Sequence, residues 1–202
     1  MKNRNVFIKI RGFSAILLIM VPVVLLAQNN TYDSISVIEL TDDEELNIVR
    51  DIRAKFKTIN ENISTYSKVE VDLMGHSTEG GYYLKYLDKN EIKKVSVTYY
   101  GETAKLEIEY YLWEGKVFFI FHQHFRYNSP IYLNIDLPEE GIEAYDENKT
   151  VVEENRYYFK DNKLIRWINN DKNKVSRTSD EFRDTQIELI DDIKFILDEV
   201  AQ

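Results

Sequence analysis

The segment "FHQHF", Phe121 to Phe125, carries two histidines one residue apart and is the chain's nearest approach to a constellation that could do chemistry. In a β-strand, residues i and i+2 leave the same face, so His122 and His124 would present their imidazoles side by side. A carboxylate from a neighbouring strand would complete a set of three ligands that zinc accepts. A two-residue hairpin turn at Glu114-Gly115 supplies that neighbour. Its register sets Leu112 opposite Val117, Tyr110 opposite Phe119 and Ile108 opposite Phe121 on an apolar core face. The other face then pairs Trp113 with Lys116, Tyr111 with Phe118, Glu109 with Ile120, Glu107 with His122 and Lys105 with His124. His122, His124 and Glu107 are therefore the candidate metal ligands. Against them stand the Lys105 ammonium beside His124 and the absence of a readable position for the third histidine, His76, in the loop "GHSTEGG". The plainer reading is a polar end of a sheet face, with Glu107 and His122 as an ordinary cross-strand pair. No cofactor is called for.

That second face also carries large apolar groups. Tyr111, Phe118 and Ile120 lie on it, and a hairpin at Asp161-Asn162 adds Tyr158 opposite Ile165 and Arg156 opposite Trp167. A sheet apolar on both sides has two outcomes: a helix covers each face, or both helices share one face and the other meets a ligand or partner. Coverage by one helix per face is the simpler outcome. In the second, Tyr111, Phe118, Ile120, Arg156, Tyr158 and Trp167 form the candidate ligand surface, for an unidentified small molecule or protein, with Arg126, Arg156 and Arg166 as its cationic part.

The elements that must position these residues are legible from periodicity. Thr41-Asp42-Asp43-Glu44 is a capping-box pattern, and Leu46, Val49, Ile52, Phe56, Ile59 and Ile63 follow at helical spacing, which predicts a helix near 42–62. Thr178-Ser179-Asp180-Glu181 repeats the signal before Phe182, Leu189, Ile190, Ile193, Ile196, Leu197 and Val200. Between the helices the period falls to two, as in Val69-Val71-Leu73, Tyr82-Leu84-Tyr86 and Val95-Val97-Tyr99. "YLDKNEI", "YLWEGKV" and "YFKDNKL", starting at Tyr86, Tyr111 and Tyr158, share one pattern with Asn or Gly at the second turn position. Type I′ hairpins favour those residues because both turn positions need positive φ. The expected fold is α+β: an antiparallel meander of about six to eight strands packed by an N-terminal and a C-terminal helix.

The first residues are an address. Lys2, Arg4, Lys9 and Arg11 precede an uncharged run from Gly12 to Ala27, which polar Gln28-Asn29-Asn30 ends. The run is short against the roughly 20 residues of a spanning helix and is interrupted by Pro22. The expectation is a signal peptide at 1–27, cleaved to release a single α+β domain at 28–202, secreted or periplasmic and with no stable membrane anchor. The chain has no cysteine, which removes disulfides, thiolate ligands, cysteine nucleophiles and a lipidated terminus together. Taking the leader's four basic residues from 26 leaves 22 against 35 acidic, a net of −13. A balance so acidic excludes nucleic acid as an expected partner.

The stretch "YYGETAKLEIEYYLWEGKVFFIFHQHFRYNSPIY" together with "NRYYFKDNKLIRWI" resembles uncharacterised exported proteins with Tyr-rich β-hairpin repeats, an Arg-Tyr-Asn-x-Pro turn and a "YYF" hairpin followed by Arg-Trp. The resemblance implies export and a sheet fold and transfers no catalytic residue. Among enzyme signatures, G-x-S-x-G, the P-loop, H-E-x-x-H and the EF-hand loop are all missing. The acidic string "DLPEEGIEAYDENKT" matches no calcium ladder and reads as a solvated connection. The expected function is a non-enzymatic binding or interaction module of the cell envelope or exterior. The alternatives are a metal-dependent enzyme centred on His122, His124 and Glu107, or a structural or inhibitory protein using its sheet edge.

Overall fold

A computed structural model describes residues 38–73, 77, 79–133 and 143–200. The leader, His76 and the 136–142 part of the acidic string lie outside the described residues. The chain divides into units Met1–Ser34 and Ile35–Gln202, and the second carries every element below.

The first helix, α1, spans Asp42–Asn62 and begins where its sequence says it should. The Glu44 N–H donates to Thr41 Oγ1 at 3.3 Å, and the Thr41 N–H donates to Glu44 Oε2 at 2.9 Å, so two of the free donors at the helix start are satisfied reciprocally. After a short 3₁₀ turn, Ile63–Thr65, seven strands follow: β1 Ser67–Asp72, β2 Gly81–Asp88, β3 Glu91–Tyr100, β4 Ala104–Trp113, β5 Lys116–Arg126, β6 Val151–Lys160 and β7 Lys163–Ile168. All pair antiparallel in chain order. The last helix, α2, spans Asp180–Val200, with the Phe182 N–H donating to Ser179 Oγ at 3.2 Å. The α+β meander expected from the sequence is the observed fold.

Each face of the sheet has its own helix. Val49, Ile52 and Ile59 of α1 pack on Tyr111, Phe118, Phe119, Tyr158 and Ile165. Phe182, Leu189, Ile193, Ile196 and Val200 of α2 pack on Val95, Val97, Ile108, Tyr110, Ile120, Tyr157 and Trp167. Burying large side chains on both faces is the main source of stability available to a chain without disulfides.

The register departs from the sequence expectation, and for one reason. In three hairpins the pairing slips one residue on the far side of the turn: between Tyr86 and Leu87, between Tyr111 and Leu112, and between Tyr158 and Phe159. Lys93, Phe118 and Ile165 are the extra residues. Such a β-bulge sets two residues against one, so that both turn to the same side. Leu112 does pair with Val117 and Trp113 with Lys116, but beyond the bulge Tyr111 pairs with Phe119, Tyr110 with Ile120, Ile108 with His122, Glu107 with Gln123, Leu106 with His124 and Lys105 with Phe125. Likewise Tyr158 pairs with Arg166, Tyr157 with Trp167 and Arg156 with Ile168. The turns explain the recurring sequence pattern in part. Glu114 and Gly115, and Asp161 and Asn162, have the positive φ of a type I′ turn, whereas at Lys89-Asn90 positive φ falls on Lys89.

Candidate functional site

The bulges decide where each candidate residue lies. Glu107, paired with Gln123, is on the α1 face, while His122 and His124, paired with Ile108 and Leu106, are on the α2 face. The proposed triad of ligands is therefore split by the sheet. The carboxylate beside the histidines is Glu153, with Oε2 3.9 Å from His124 Nδ1 and Oε1 2.6 Å from an Arg126 nitrogen. His122 lies between Ile108 and Asn155, its ring centroid 6.4 Å from that of Tyr157. Burial, aided by neighbouring His124, lowers its pKa to about 4, which keeps the imidazole neutral. Among the described residues, no three metal-ligating side chains converge.

The six candidate ligand residues are likewise divided. Tyr111, Phe118 and Tyr158 are buried under α1, and Ile120 and Trp167 under α2. Arg156 sits at the margin of the α1 face, its guanidinium 4.9 Å from the Phe121 ring centroid and 2.7 Å from Glu154 Oε2.

Among the described residues, α1 leaves uncovered the opposite end of the sheet. The helix crosses the strands along the row Arg166, Tyr158, Phe119, Tyr111 and Lys94, from the ion pair of Glu45 with Arg166 to the Asn60 carboxamide, whose Oδ1 accepts from the Tyr111 hydroxyl at 3.2 Å. Beside that crossing Lys94 Nζ lies 2.5 Å from Glu109 Oε1, 5.6 Å from the Tyr86 centroid and 5.1 Å from the Tyr111 centroid. Two rows farther from the bulged turns form the floor of that uncovered end, partly exposed apart from Thr98, which is buried. One reads Tyr82, Thr98, Glu107, Gln123 and Glu154 across five strands, and the other Tyr100, Lys105, Phe125 and Val152 across four.

These side chains are held in place. The Tyr82 and Tyr100 rings lie 6.3 Å apart at 37°, with Tyr100 40% exposed. Lys105 Nζ sits 4.2 Å from the Phe125 centroid and 2.8 Å from Glu107 Oε1. Burial opposes the lysine's charge, but its hydrogen bond and attraction to Glu107 raise its pKa above the ordinary value. Gln123 Nε2 donates to Glu154 Oε1 at 3.1 Å, and Arg156 holds the other oxygen. The floor thus offers partly exposed rings between oriented acceptors and donors. Among the described residues it has no histidine, and its carboxylates are already paired. Sequence reading missed it because the one-residue slip moves Gln123 and Phe125 onto the α1 face; only the alternation of Tyr82, Leu84 and Tyr86 hinted at it.

A cleft of about 480 Å³ lies elsewhere, between α1 and the turns, lined by Asp51, Lys55, Trp113, Lys116 and Lys160 among others. Its charges are of both signs, Asp51, Glu114 and Asp161 with Lys55, Lys116 and Lys160. Compared with known protein families, curated proteins and solved structures, the chain matches none.

Proposed function

We propose that the chain is an exported binding module of the cell envelope or exterior, non-enzymatic, with the open half of the α1 face as its recognition surface. The observation that carries this reading is the group of partly exposed rings, Tyr82 in one row and Tyr100 and Phe125 in the next, set among the fixed polar groups of Glu107, Gln123 and Glu154. Flat aromatic faces beside hydrogen-bonding carboxylates and amides suit a sugar chain. Its C–H faces stack on rings, and its hydroxyls donate to carboxylates and exchange bonds with an amide. Export rests on the basic and apolar leader at 1–27.

The test is affinity electrophoresis through gels containing neutral polysaccharides, with the parent, a Tyr82→Ala/Tyr100→Ala variant and an exposed-loop control, Tyr132→Ala. Retardation of parent and control but not of the double variant supports the reading. Equal mobility of all three in every gel removes the sugar ligand. N-terminal sequencing of the exported protein tests the leader, and recovery of Met1 in a membrane fraction would refute cleavage.

A further inference from the structure

The two edges of the sheet are treated differently. At β7 the chain covers its own edge: the Leu164 N–H donates to Gln186 Oε1 at 2.9 Å, the Val175 N–H donates to the Trp167 carbonyl at 3.0 Å, and Ile168 bridges to Lys174. At β1 nothing comparable is found among the described residues; all six residues from Ser67 to Asp72 are exposed, with Val69 at 43% and Val71 at 36%. The strand is unbulged and has no proline, although bulges and proline are common devices for blunting an edge.

The direction of its free backbone groups follows from one bond. The Leu73 N–H donates to the Gly81 carbonyl at 2.8 Å, so Leu73, and by alternation Val71, Val69 and Ser67, spend their backbone groups on β2. Lys68, Glu70 and Asp72 point theirs outward. Their side chains lie on the α1 face, beside Tyr86, Leu84 and Tyr82, and the two valines lie on the α2 face beside Lys85 and Tyr83.

We propose that β1 pairs antiparallel with β1 of a second copy of this chain, about a two-fold axis through Val69, joining two sheets into one. In that register Lys68 of each copy faces Glu70 of the other, and these are the residues with outward backbone groups, so each pair exchanges both N–H···O bonds as well as opposite charges. Val69 meets Val69 and Val71 meets Ser67, which withdraws the exposed valines from water. Charge also ranks the neighbouring registers below this one. Shifting the axis to Lys68 sets Lys68 against Lys68, and shifting it to Glu70 sets Glu70 against Glu70, each unfavourable directly across a ladder; the second shift brings Lys68 to Asp72 as well, so it is the like-charged Glu70 pair that the proposed register avoids. The same charges that discourage unselective pairing therefore select one self-complementary partner.

Sedimentation equilibrium at rising concentration should show a monomer–dimer equilibrium for the parent. Glu70→Lys alone and Lys68→Glu alone should each be monomeric, with unchanged circular dichroism. The two single variants mixed together, and the double swap Lys68→Glu/Glu70→Lys, should both recover the dimer. Because the chain has no cysteine, Val69→Cys reads the register directly. It should form an intermolecular disulfide under mild oxidation, since non-hydrogen-bonded pairs place Cβ atoms about 4.5–5.5 Å apart, and Val71→Cys should not. A parent monomeric up to millimolar concentration, or a dimer that both single reversals leave intact, overturns the proposal. In the first case an added edge-pairing peptide from another protein would be the remaining kind of occupant.

Discussion

Arg166 Nε donates to Glu45 Oε1 at 2.6 Å, joining the last strand of the sheet to the first turns of the first helix, with the carboxylate fully buried. Lys174 Nζ holds the other oxygen at 2.7 Å, and Arg177, 3.6 Å away, also donates to the carbonyls of Ile38 and Leu40. Removing one partner of a buried pair strands the other's charge, so Glu45→Ala should cost about 3–5 kcal/mol in urea unfolding. Burial pushes the carboxyl up, but the hydrogen bonds and charges of Lys174 and Arg166 outweigh it and leave the pKa below the ordinary carboxylate value. The stabilisation is therefore present above the unfolded-state pKa and is lost as pH falls through the depressed one. The gap between parent and Glu45→Ala should close on acidification. A gap independent of pH would contradict this.

Two groups on the α2 face should have opposing effects on stability in mild acid. His122, at about 4, stays neutral in the fold where the unfolded chain protonates, so its contribution is intact above about 6.5 and is lost as pH falls toward 4. Asp192 is raised to about 6, by burial first and then by Glu188 and Asp191, so the fold binds a proton that the unfolded chain has released. Its effect favours the folded state at low pH and is lost as pH rises through 6. His122→Phe should therefore lose the acid-side decline, while Asp192→Asn should steepen it and raise stability at neutral pH. Thermal melts across pH 4 to 7 check both, and parallel curves would contradict the assignment.

At the β4–β5 bulge, Phe118 and Phe119 both turn toward α1 and are each 6% exposed. Phe118→Ala and Phe119→Ala should each cost about 3–5 kcal/mol, whereas Lys116→Ala, at the exposed turn, should cost about 0.5 or less. Strict alternation would make one phenylalanine cheap, so the two measurements together test the bulge.

Zinc should give no saturable rise in melting temperature that depends on His122 and His124, because Glu107 is on the far side of the sheet and Arg126 occupies Glu153. A ligand that binds only the folded state would raise stability with its free concentration. A titration of the parent beside the His122→Ala/His124→Ala variant decides it. A shift in the parent that vanishes in the variant would restore the metal site.

Periodicity carried the architecture, because helix caps and period-two runs are local. It failed where geometry changes by a single residue, since a bulge leaves no break in the hydrophobic pattern of "YLWEGKVFF". The slip moves His122 away from Glu107 and exchanges the partners of every residue beyond it. The helices show a second kind of miss. Their buried stripes run Glu45, Val49, Ile52, Phe56, Ile59, Ile63 and Phe182, Gln186, Leu189, Ile193, Ile196, Val200, with identical spacing and one polar member each. Reading by hydropathy put Leu46 in the first stripe, yet it is 52% exposed, and passed over Gln186. Spacing alone would have found both polar residues, and each of them bonds to β7.

The neighbour-to-neighbour strand order also has kinetic consequences. Apart from the β5–β6 connection, residues 127–150, each hairpin closes a short loop at small entropic cost, so most of the sheet can grow strand by strand at the rates of local structure. The clamps cannot: Glu45 waits for Arg166, 121 positions away, and the Tyr83 hydroxyl for the Glu199 carbonyl, 116 away. Completion of these long-range clamps is therefore expected on the far side of the folding barrier, after the meander exists. Weakening Glu45 should speed unfolding and leave the refolding rate nearly unchanged, so this ion cluster sets how long a folded molecule survives more than how quickly it forms.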